Sequence, residues 1–185
     1  MRYANIKYHD IANGLGVRTS LFVSGCTHRC KGCFNEVAWD FGYGEVFTEE
    51  TIEKLLASCS PSYVAGLSLL GGEPMEPSNQ QALLPLLRRF KEQYPDKDIW
   101  CYTGYVYERD LLDPAGRAHC EVTEELLSYI DILVDGEFDQ TLYDISLKFR
   151  GSSNQRVLQI QKPGCPELFP LKGREGSDGS EGGKR

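Results

Sequence analysis

The sequence predicts an α/β fold built on an open, mostly parallel sheet, and three observations lead to this prediction. Short apolar runs that suit buried strands alternate along the chain with amphipathic segments that suit helices. Repeated strand and helix units of this length imply right-handed crossovers between parallel strands. The chain has 185 residues, which is too few for a closed eight-stranded barrel of about 250 residues.

The first predicted strand is Leu21–Val23, which is followed directly by a loop rich in cysteine. Residues 1–19 form a polar approach that glycines interrupt. Thr48 predicts the start of the first helix, because its hydroxyl precedes two acids that suit the positive end of the helix dipole. Ser60–Ser62 ends this unit, and Gly66–Leu70 is the second predicted strand.

The second half of the chain repeats the pattern. Leucines and Phe90 give an apolar face to a second helix, in which Pro85 either bends the helix or lies in its first turns. Thr123 is the predicted cap of the last helix. The predicted elements are helices over 78–94, 107–112 and 124–129 and strands over 99–102, 131–134 and 157–160.

Composition limits the class of protein. The net charge of -7 argues against a nucleic acid or an anionic membrane surface as the main partner. The amino terminus has no apolar signal, and no apolar run approaches the roughly 20 residues of a membrane span, so we expect a cytoplasmic protein. We predict one domain over 1–165 and a disordered tail over 166–185, since the last residues lack apolar side chains.

The loop after the first strand contains Cys26, Cys30 and Cys33. Short spacers that include a glycine let the backbone curl until all three sulfurs point inward. This spacing therefore predicts a metal site. A cubic 4Fe-4S cluster normally takes four thiolates, so three would leave one iron with an open position.

Two other interpretations of this loop remain open. Zinc is one, with His28 as a fourth ligand, although zinc sites favour paired cysteines with a distant second pair. Three thiols that bind no metal are the other, although three free cysteines rarely occur together in so short a loop. The remaining four cysteines lack close spacing and are more typical of single thiols than of a second cluster; they are Cys59, Cys101, Cys120 and Cys165.

Two further loops are candidates for binding. The Gly71–Pro74 turn (Gly-Gly-Glu-Pro) follows the second strand, where ligands meet parallel sheets. Its glycines allow close approach, and its carbonyls or the Glu73 carboxylate suit an ammonium group, although an ordinary turn has the same pattern. The basic stretch 148–156 suits a carboxylate or a partner enzyme, with a solvated loop as the alternative.

These stretches together resemble the radical S-adenosylmethionine (SAM) enzymes, and within them the activating proteins of anaerobic ribonucleoside-triphosphate reductase. The similarity covers roughly residues 5–160. Cys-x3-Cys-x2-Cys after a first strand is specific for the superfamily, and the combination of motifs indicates the narrower group. The other matching stretches are Asn13–Arg18, Gly71–Pro74, Tyr102–Tyr105, Val134–Phe138 and Arg150–Gln155.

The resemblance implies an open partial (βα) barrel of the radical SAM type. It implies a 4Fe-4S cluster on Cys26, Cys30 and Cys33 that cleaves SAM reductively. The resulting 5'-deoxyadenosyl radical would create a glycyl radical on the reductase, with electrons from a low-potential donor such as flavodoxin. By the same resemblance, Gly72 binds the amino group of SAM, and Gly32, Cys33 and Phe34 lie near its adenine.

This chain departs from the family pattern at two positions. Leu15 stands where the family usually has proline, which makes that loop less rigid. Gly32 stands where many superfamily members have an aromatic residue, which shifts adenine stacking to Phe34. Two alternative functions remain: an activator of another glycyl radical enzyme, such as pyruvate formate-lyase, and a zinc-binding module without enzymatic activity.

Overall fold

A computed structural model of the protein describes residues 1–171. This part of the chain forms one seven-stranded sheet with three α-helices. The strands are β1 (Arg2–Asp10), β2 (Val17–Val23), β3 (Glu45–Val46), β4 (Val64–Gly71), β5 (Asp98–Tyr102), β6 (Ile132–Asp135) and β7 (Arg156–Gln159). The helices are α1 (Glu49–Ser58), α2 (Pro77–Gln93) and α3 (Thr123–Tyr129), with short 3-10 turns at Glu36–Trp39 and Gln140–Leu142 and a π-helical turn at Tyr107–Leu112.

The strand order across the sheet is β3-β1-β2-β4-β5-β6-β7. The four strands β2, β4, β5 and β6 are parallel neighbours. The pairs β1 with β2, β1 with β3 and β6 with β7 are antiparallel. Five of the seven strands therefore run in one direction, which confirms the predicted α/β class with a mostly parallel sheet. The partial-barrel form stays a prediction.

The larger apolar core lies between the sheet and the helices. Successive side chains of a strand point to opposite faces, so Leu67 and Leu69 of β4 share one face. They belong to the same buried cluster as Leu55 of α1, Phe90 of α2 and Leu126 of α3. Each fully buried side chain of this kind contributes roughly 1.5 to 3 kcal/mol relative to an exposed one. This core holds the parallel strands in register.

The opposite face of the sheet carries a smaller cluster centred on Trp100. Arg18 is fully buried beside it, with its guanidinium 5.6 Å from the centre of the indole ring. The Arg18 charge is satisfied by Asp98 at 2.6 Å and by the Ser68 hydroxyl at 2.7 Å. A buried guanidinium needs such partners because an unpaired charge is costly to desolvate. Arg18 thus joins β2 to β4 and β5.

The structure confirms one predicted helix start and contradicts another. Thr48 caps α1 as expected, because its hydroxyl accepts a hydrogen bond from the Thr51 N–H. Pro85 lies inside α2, which begins with Pro77 in its first turn. The prediction for Thr123 is wrong, since this residue is the first of α3 and makes no cap hydrogen bond to that helix. Its hydroxyl instead donates to Gln80, 2.7 Å away.

Strand β1 (Arg2–Asp10) was not predicted from the sequence. Residues 1–19 do not form a loose approach, because β1 pairs with β2 and β3. Most of β1 is exposed or half-buried, so no apolar run marks it. It also bends at irregular register steps, and His9 has a positive φ of 57°. The strand after it, β2, begins at Val17 rather than at Leu21.

The end of the described chain packs against β7. Glu167 pairs with Leu158, and the Leu168 N–H donates to the Val157 carbonyl at 2.6 Å. The rest of the predicted disordered tail, residues 172–185, lies outside the described residues. None of the helices that the structure describes is long and apolar enough to cross a membrane.

Candidate functional site

One cavity of about 470 Å³ lies where the parallel strands end. The loops after β2, β4, β5 and β6 all reach it, because the carboxyl ends of parallel strands meet at one edge of a sheet. Every residue that the sequence proposed for the site lines this cavity: Cys26, Cys30, Gly32, Cys33, Phe34 and Gly72. Their roles in binding stay predictions, but the fold brings them together.

The first half of the cysteine loop, Ser24–His28, is fastened to the turn after β4. The Gly72 N–H donates to the Val23 carbonyl at 2.7 Å, and the Glu73 N–H donates to the Gly25 carbonyl at 2.8 Å. The Asn79 side chain of α2 donates to the Ser24 carbonyl at 3.1 Å. The backbone around Cys26 is therefore held by neighbours that lie far away in sequence.

A buried carboxylate adds to this attachment. Glu76, just before α2, accepts hydrogen bonds from the Thr27 N–H at 2.8 Å and from the Thr27 hydroxyl at 2.6 Å. Hydrogen bonds to a charged group are stronger than those between neutral groups. Glu76 thus fixes the residue that follows Cys26.

His28 occupies the centre of the four loops. Its Nε2 lies 3.1 Å from Glu73 Oε2, and its Nδ1 lies 3.7 Å from Glu137 Oε2. The Nε2 contact is close, but its geometry is not that of an aligned hydrogen bond. Burial alone would lower the pKa of His28, but the two carboxylates outweigh it and raise the pKa above its usual value. His28 is thus engaged by carboxylates, which does not suit it as a zinc ligand.

The second half of the loop, Arg29–Phe34, has fewer attachments. The Cys33 N–H donates to the Cys30 carbonyl at 3.2 Å, which closes a tight turn with Gly32 at a φ of 74°. Cys30 Sγ lies 3.9 Å from a carboxylate oxygen of Glu137. Phe34 is 86% exposed. This half contacts the rest of the chain mainly through the loop after β6.

The three loop cysteines are free thiols. Burial and the Glu73 charge raise the pKa of Cys26 to about 12, and burial and the Glu137 charge raise the pKa of Cys30. A metal that binds these sulfurs must therefore displace their protons.

The donor set suits an iron–sulfur cluster. In a 4Fe-4S cluster each cysteine binds a different iron, so the sulfurs surround a volume rather than one point. Three free thiols that line one cavity fit such a cluster.

The Gly71–Pro74 turn packs tightly against the cysteine loop. A Cβ on Gly72 would lie 2.6 Å from the Gly25 carbonyl oxygen and 2.8 Å from the Ala38 carbonyl oxygen. Glycine is therefore required by close packing at this position. The Glu73 carboxylate is buried and already accepts from the Met75 N–H at 2.8 Å and the Gly104 N–H at 2.7 Å. It is consequently less available for an ammonium group than the sequence suggested.

The two arginines of the basic stretch 148–156 have carboxylate partners within the chain. Arg150 pairs with Glu167 at 2.6 Å, and its side chain is almost fully buried. Arg156 pairs with Asp135 and Glu108. Because of these pairs, neither arginine is the solvated cation that the sequence allowed as an alternative. The other four cysteines, Cys59, Cys101, Cys120 and Cys165, are free and do not line the cavity.

Sequence reasoning missed three residues that shape the site: Glu76, Asn79 and Glu137. Glu137 lies in one of the matched stretches, Val134–Phe138, which was a usable signal. Glu76 and Asn79 gave none, because their partners lie 49 and 55 residues away.

Comparison with known proteins gives a consistent picture. A family model described as a 4Fe-4S single cluster domain matches residues 12–158. A protein of Vibrio cholerae is 45% identical over 159 residues, which cover 85% of this chain and 97% of that protein. Relatives from Haemophilus influenzae (43% identity, 85% of this chain and 97% of that protein) and Escherichia coli (40% identity, 87% and 100%) share its name, anaerobic ribonucleoside-triphosphate reductase-activating protein. The chain belongs to this family of activating proteins.

Proposed function

We propose that this protein is a radical SAM activase that generates a glycyl radical on the anaerobic ribonucleoside-triphosphate reductase. One observation carries the proposal: three free cysteines and the Gly-Gly-Glu-Pro turn line the same cavity. The names of the relatives supply the reductase as the target. The match to a 4Fe-4S family model supports an iron–sulfur cluster at the cysteines.

Cys26, Cys30 and Cys33 would each hold one iron of the cluster, which leaves the fourth iron without a protein ligand. When bound, the reduced cluster would supply the electron for reductive cleavage of SAM into methionine and a 5'-deoxyadenosyl radical, and this radical would take a hydrogen atom from a glycine of the reductase. The chain itself supplies binding, orientation and electrostatics.

Different residues around the cavity would bind different parts of SAM. The amino group of SAM would be bound by the backbone of the turn at Gly72, because the Glu73 carboxylate is already satisfied. Gly32, Cys33 and the ring of Phe34 would lie at the adenine, since all three line the cavity. No side chain of the cavity is required to transfer a proton in this reaction.

The charges near the cysteines suit a cluster of low potential. Glu73 and Glu137 raise the pKa values of Cys26 and Cys30 respectively, in addition to the effect of burial. The same negative charges disfavour an added electron, and net charge and hydrogen bonding to sulfur set the potentials of such clusters. A strongly reducing donor such as flavodoxin would therefore be needed.

The target must be a peptide segment that reaches the cavity. Phe34 and Tyr143 both line the cavity and are 86% and 57% exposed, so its mouth presents two accessible aromatic rings. Such a mouth suits a chain segment of the reductase better than a fully enclosed cavity would. The seven free cysteines agree with a reducing, cytoplasmic environment.

Anaerobic reconstitution with iron and sulfide tests the proposal. The expected result is a brown protein that cleaves SAM when reduced. On mixing with the anaerobic reductase, electron paramagnetic resonance should then detect a glycyl radical. A colourless protein that retains one zinc would support the zinc-binding alternative instead. A radical on pyruvate formate-lyase but not on the reductase would assign the activase to another glycyl radical enzyme.

A further inference from the structure

His28 contacts the loops that follow all of the other central parallel strands. From its own loop after β2, it reaches Glu73 after β4 and Glu137 after β6. Its ring packs on Tyr105 after β5, with ring centres 4.4 Å apart. The side chain is only 3% exposed. These three contacts place one imidazole at the junction of the four loops that follow the central parallel strands.

Glu73 extends this junction. One of its oxygens accepts the Gly104 N–H at 2.7 Å and also lies 3.1 Å from His28 Nε2. The other oxygen accepts the Met75 N–H, so the carboxylate cannot turn without losing a partner. The chain of contacts from His28 through Glu73 to Gly104 therefore links the cysteine loop, the Gly-Gly-Glu-Pro turn and the end of β5.

The space around the His28 imidazole is closely packed. A Cβ on Gly104 would lie 2.7 Å from His28 Nε2, so the ring rests directly against the backbone just after β5. The Tyr105 ring contacts His28, and its hydroxyl lies 3.3 Å from the Thr27 hydroxyl. A displaced imidazole would therefore also disturb the residue next to Cys26.

We infer that His28 is a positioning residue that sets the cysteine loop at a fixed distance from the turn at Gly72. The inference rests on the proposed function, in which the cluster and the amino-binding turn must grip the same SAM molecule. Groups that must meet one ligand together lose rate and affinity when one of them shifts by about 1 Å. His28 is not itself a ligand, because both ring nitrogens face carboxylates.

Three full-chain variants separate positioning from packing. His28→Leu keeps the bulk and removes both nitrogens. His28→Gln places an amide N–H near the position of Nε2 and so restores a donor to Glu73. His119→Leu is the matched control, because this half-buried histidine bonds the Leu111 carbonyl and does not line the cavity.

Each variant is reconstituted anaerobically, and iron per chain is measured together with SAM affinity from the change in the resonance spectrum of the reduced cluster. We expect His28→Leu to keep its iron but to bind SAM about tenfold or more weakly. His28→Gln should recover part of that loss, and His119→Leu should match the unmodified chain. Unchanged affinity in His28→Leu, loss of its iron, or a His28→Gln variant no better than His28→Leu would overturn the inference.

A second measurement uses the metal-free protein and does not depend on the proposed function. Hydrogen exchange of the Gly104 amide should become faster in His28→Leu and in Glu73→Gln, and the double variant should show less than the sum of the two effects, because the residues act as one unit. Additive effects on the exchange rate of the Gly104 amide would contradict the linkage. This result is obtained even if His28→Leu unfolds on reconstitution, because the exchange is measured on the metal-free protein. If the unmodified chain binds no SAM while this coupling is present, the proposed function fails and the linkage stands.

Discussion

The two halves of the cysteine loop are held in different ways. Ser24–His28 is bound by backbone pairs to the turn after β4 and by the buried side chains of Glu76 and Asn79. Arg29–Phe34 closes its own tight turn and leaves Phe34 exposed. The fold therefore fixes the half that carries Cys26. The half that carries Cys30 and Cys33 has fewer attachments to the rest of the described chain.

The largest effect should come from the lightly attached half. Cys30→Ala is expected to abolish cluster binding and SAM cleavage, because one iron loses its only protein ligand. The same change should alter the free energy of unfolding of the metal-free protein by less than about 0.5 kcal/mol, since few contacts are lost. Iron analysis and denaturant unfolding measure the two quantities. Cys101→Ala is a control that should keep its iron, because this buried cysteine does not line the cavity. Iron retained in Cys30→Ala would contradict the ligand assignment.

A change in the turn that packs against the anchored half should affect stability more than Cys30→Ala does. Gly72→Ala brings a methyl group within 2.6 Å of the Gly25 carbonyl oxygen. Forcing extra volume into a packed site costs about 1 to 3 kcal/mol, so the metal-free protein should unfold more easily. Gly42→Ala is the control, because its nearest neighbour is the Asp40 side chain, 3.3 Å away. Equal stability of the two variants would show that the turn does not press on the loop.

Glu76 tests the same half through a polar contact. Glu76→Ala removes the acceptor of both Thr27 hydrogen bonds and should lower the free energy of unfolding by about 1 to 3 kcal/mol. Glu76→Gln keeps an acceptor oxygen and should lose less. Glu36→Ala, at an exposed position, provides the baseline. If Glu76→Ala is as stable as that baseline, the carboxylate does not anchor the loop.

Phe34 should affect binding without affecting stability. Phe34→Ala is expected to weaken SAM binding by about fivefold or more, since base–aromatic stacking contributes roughly 1 kcal/mol or more. Unfolding should be unchanged because the ring is 86% exposed. Val37→Ala, a nearby exposed residue that does not line the cavity, is the control. Identical SAM affinity in both variants would remove Phe34 from the adenine site.

The smallest expected effect is on stability. It concerns residues that support the anchored half, Ser24–His28, through a series of contacts. Arg117 packs over Tyr105, which packs on His28, and Arg117 is held by Asp110. Burial opposes ionisation of Asp110, but Arg109, a backbone N–H and Arg117 prevail and lower its pKa to about 2. A carboxyl group with a lowered pKa stabilises the fold above its ordinary value near 3.8, and this contribution is lost as the pH falls towards 2.

Acid unfolding of Asp110→Asn and the unmodified chain measures this contribution. The stability difference between the two proteins should be constant above about pH 4 and should shrink between about pH 4 and pH 2. A difference that does not change over this range would contradict the assigned pKa.

The sequence predicted the parts of the molecule that depend on local pattern. Apolar runs located β4 and β5, and Thr48 located the start of α1, because strand burial and helix capping involve neighbours in sequence. Strand β1 was missed because most of its residues are exposed or half-buried, so it has no apolar run. Thr123 was assigned to a cap because its partner Gln80 is 43 residues away, beyond the reach of any spacing rule.

The same limit applies to the site. Cysteine spacing and the Gly-Gly-Glu-Pro turn predicted which residues would line one cavity, since parallel strands bring their following loops together. The attachments that hold those residues join His28 to Glu137, which lie far apart along the chain. Only the folded arrangement reveals such pairs. The anchoring of the first half of the loop was therefore not predictable from its sequence.

The central claim is that one iron of the cluster has no protein ligand and takes SAM instead. The most direct test is electron–nuclear double resonance of the reduced, reconstituted protein with SAM labelled with nitrogen-15 at its amino group and oxygen-17 at its carboxylate. We expect both labels to couple to the cluster, and we expect this coupling to be lost when unlabelled SAM replaces the labelled form. A 4Fe-4S cluster that shows no coupling to either label, with a fourth protein ligand on iron, would contradict it.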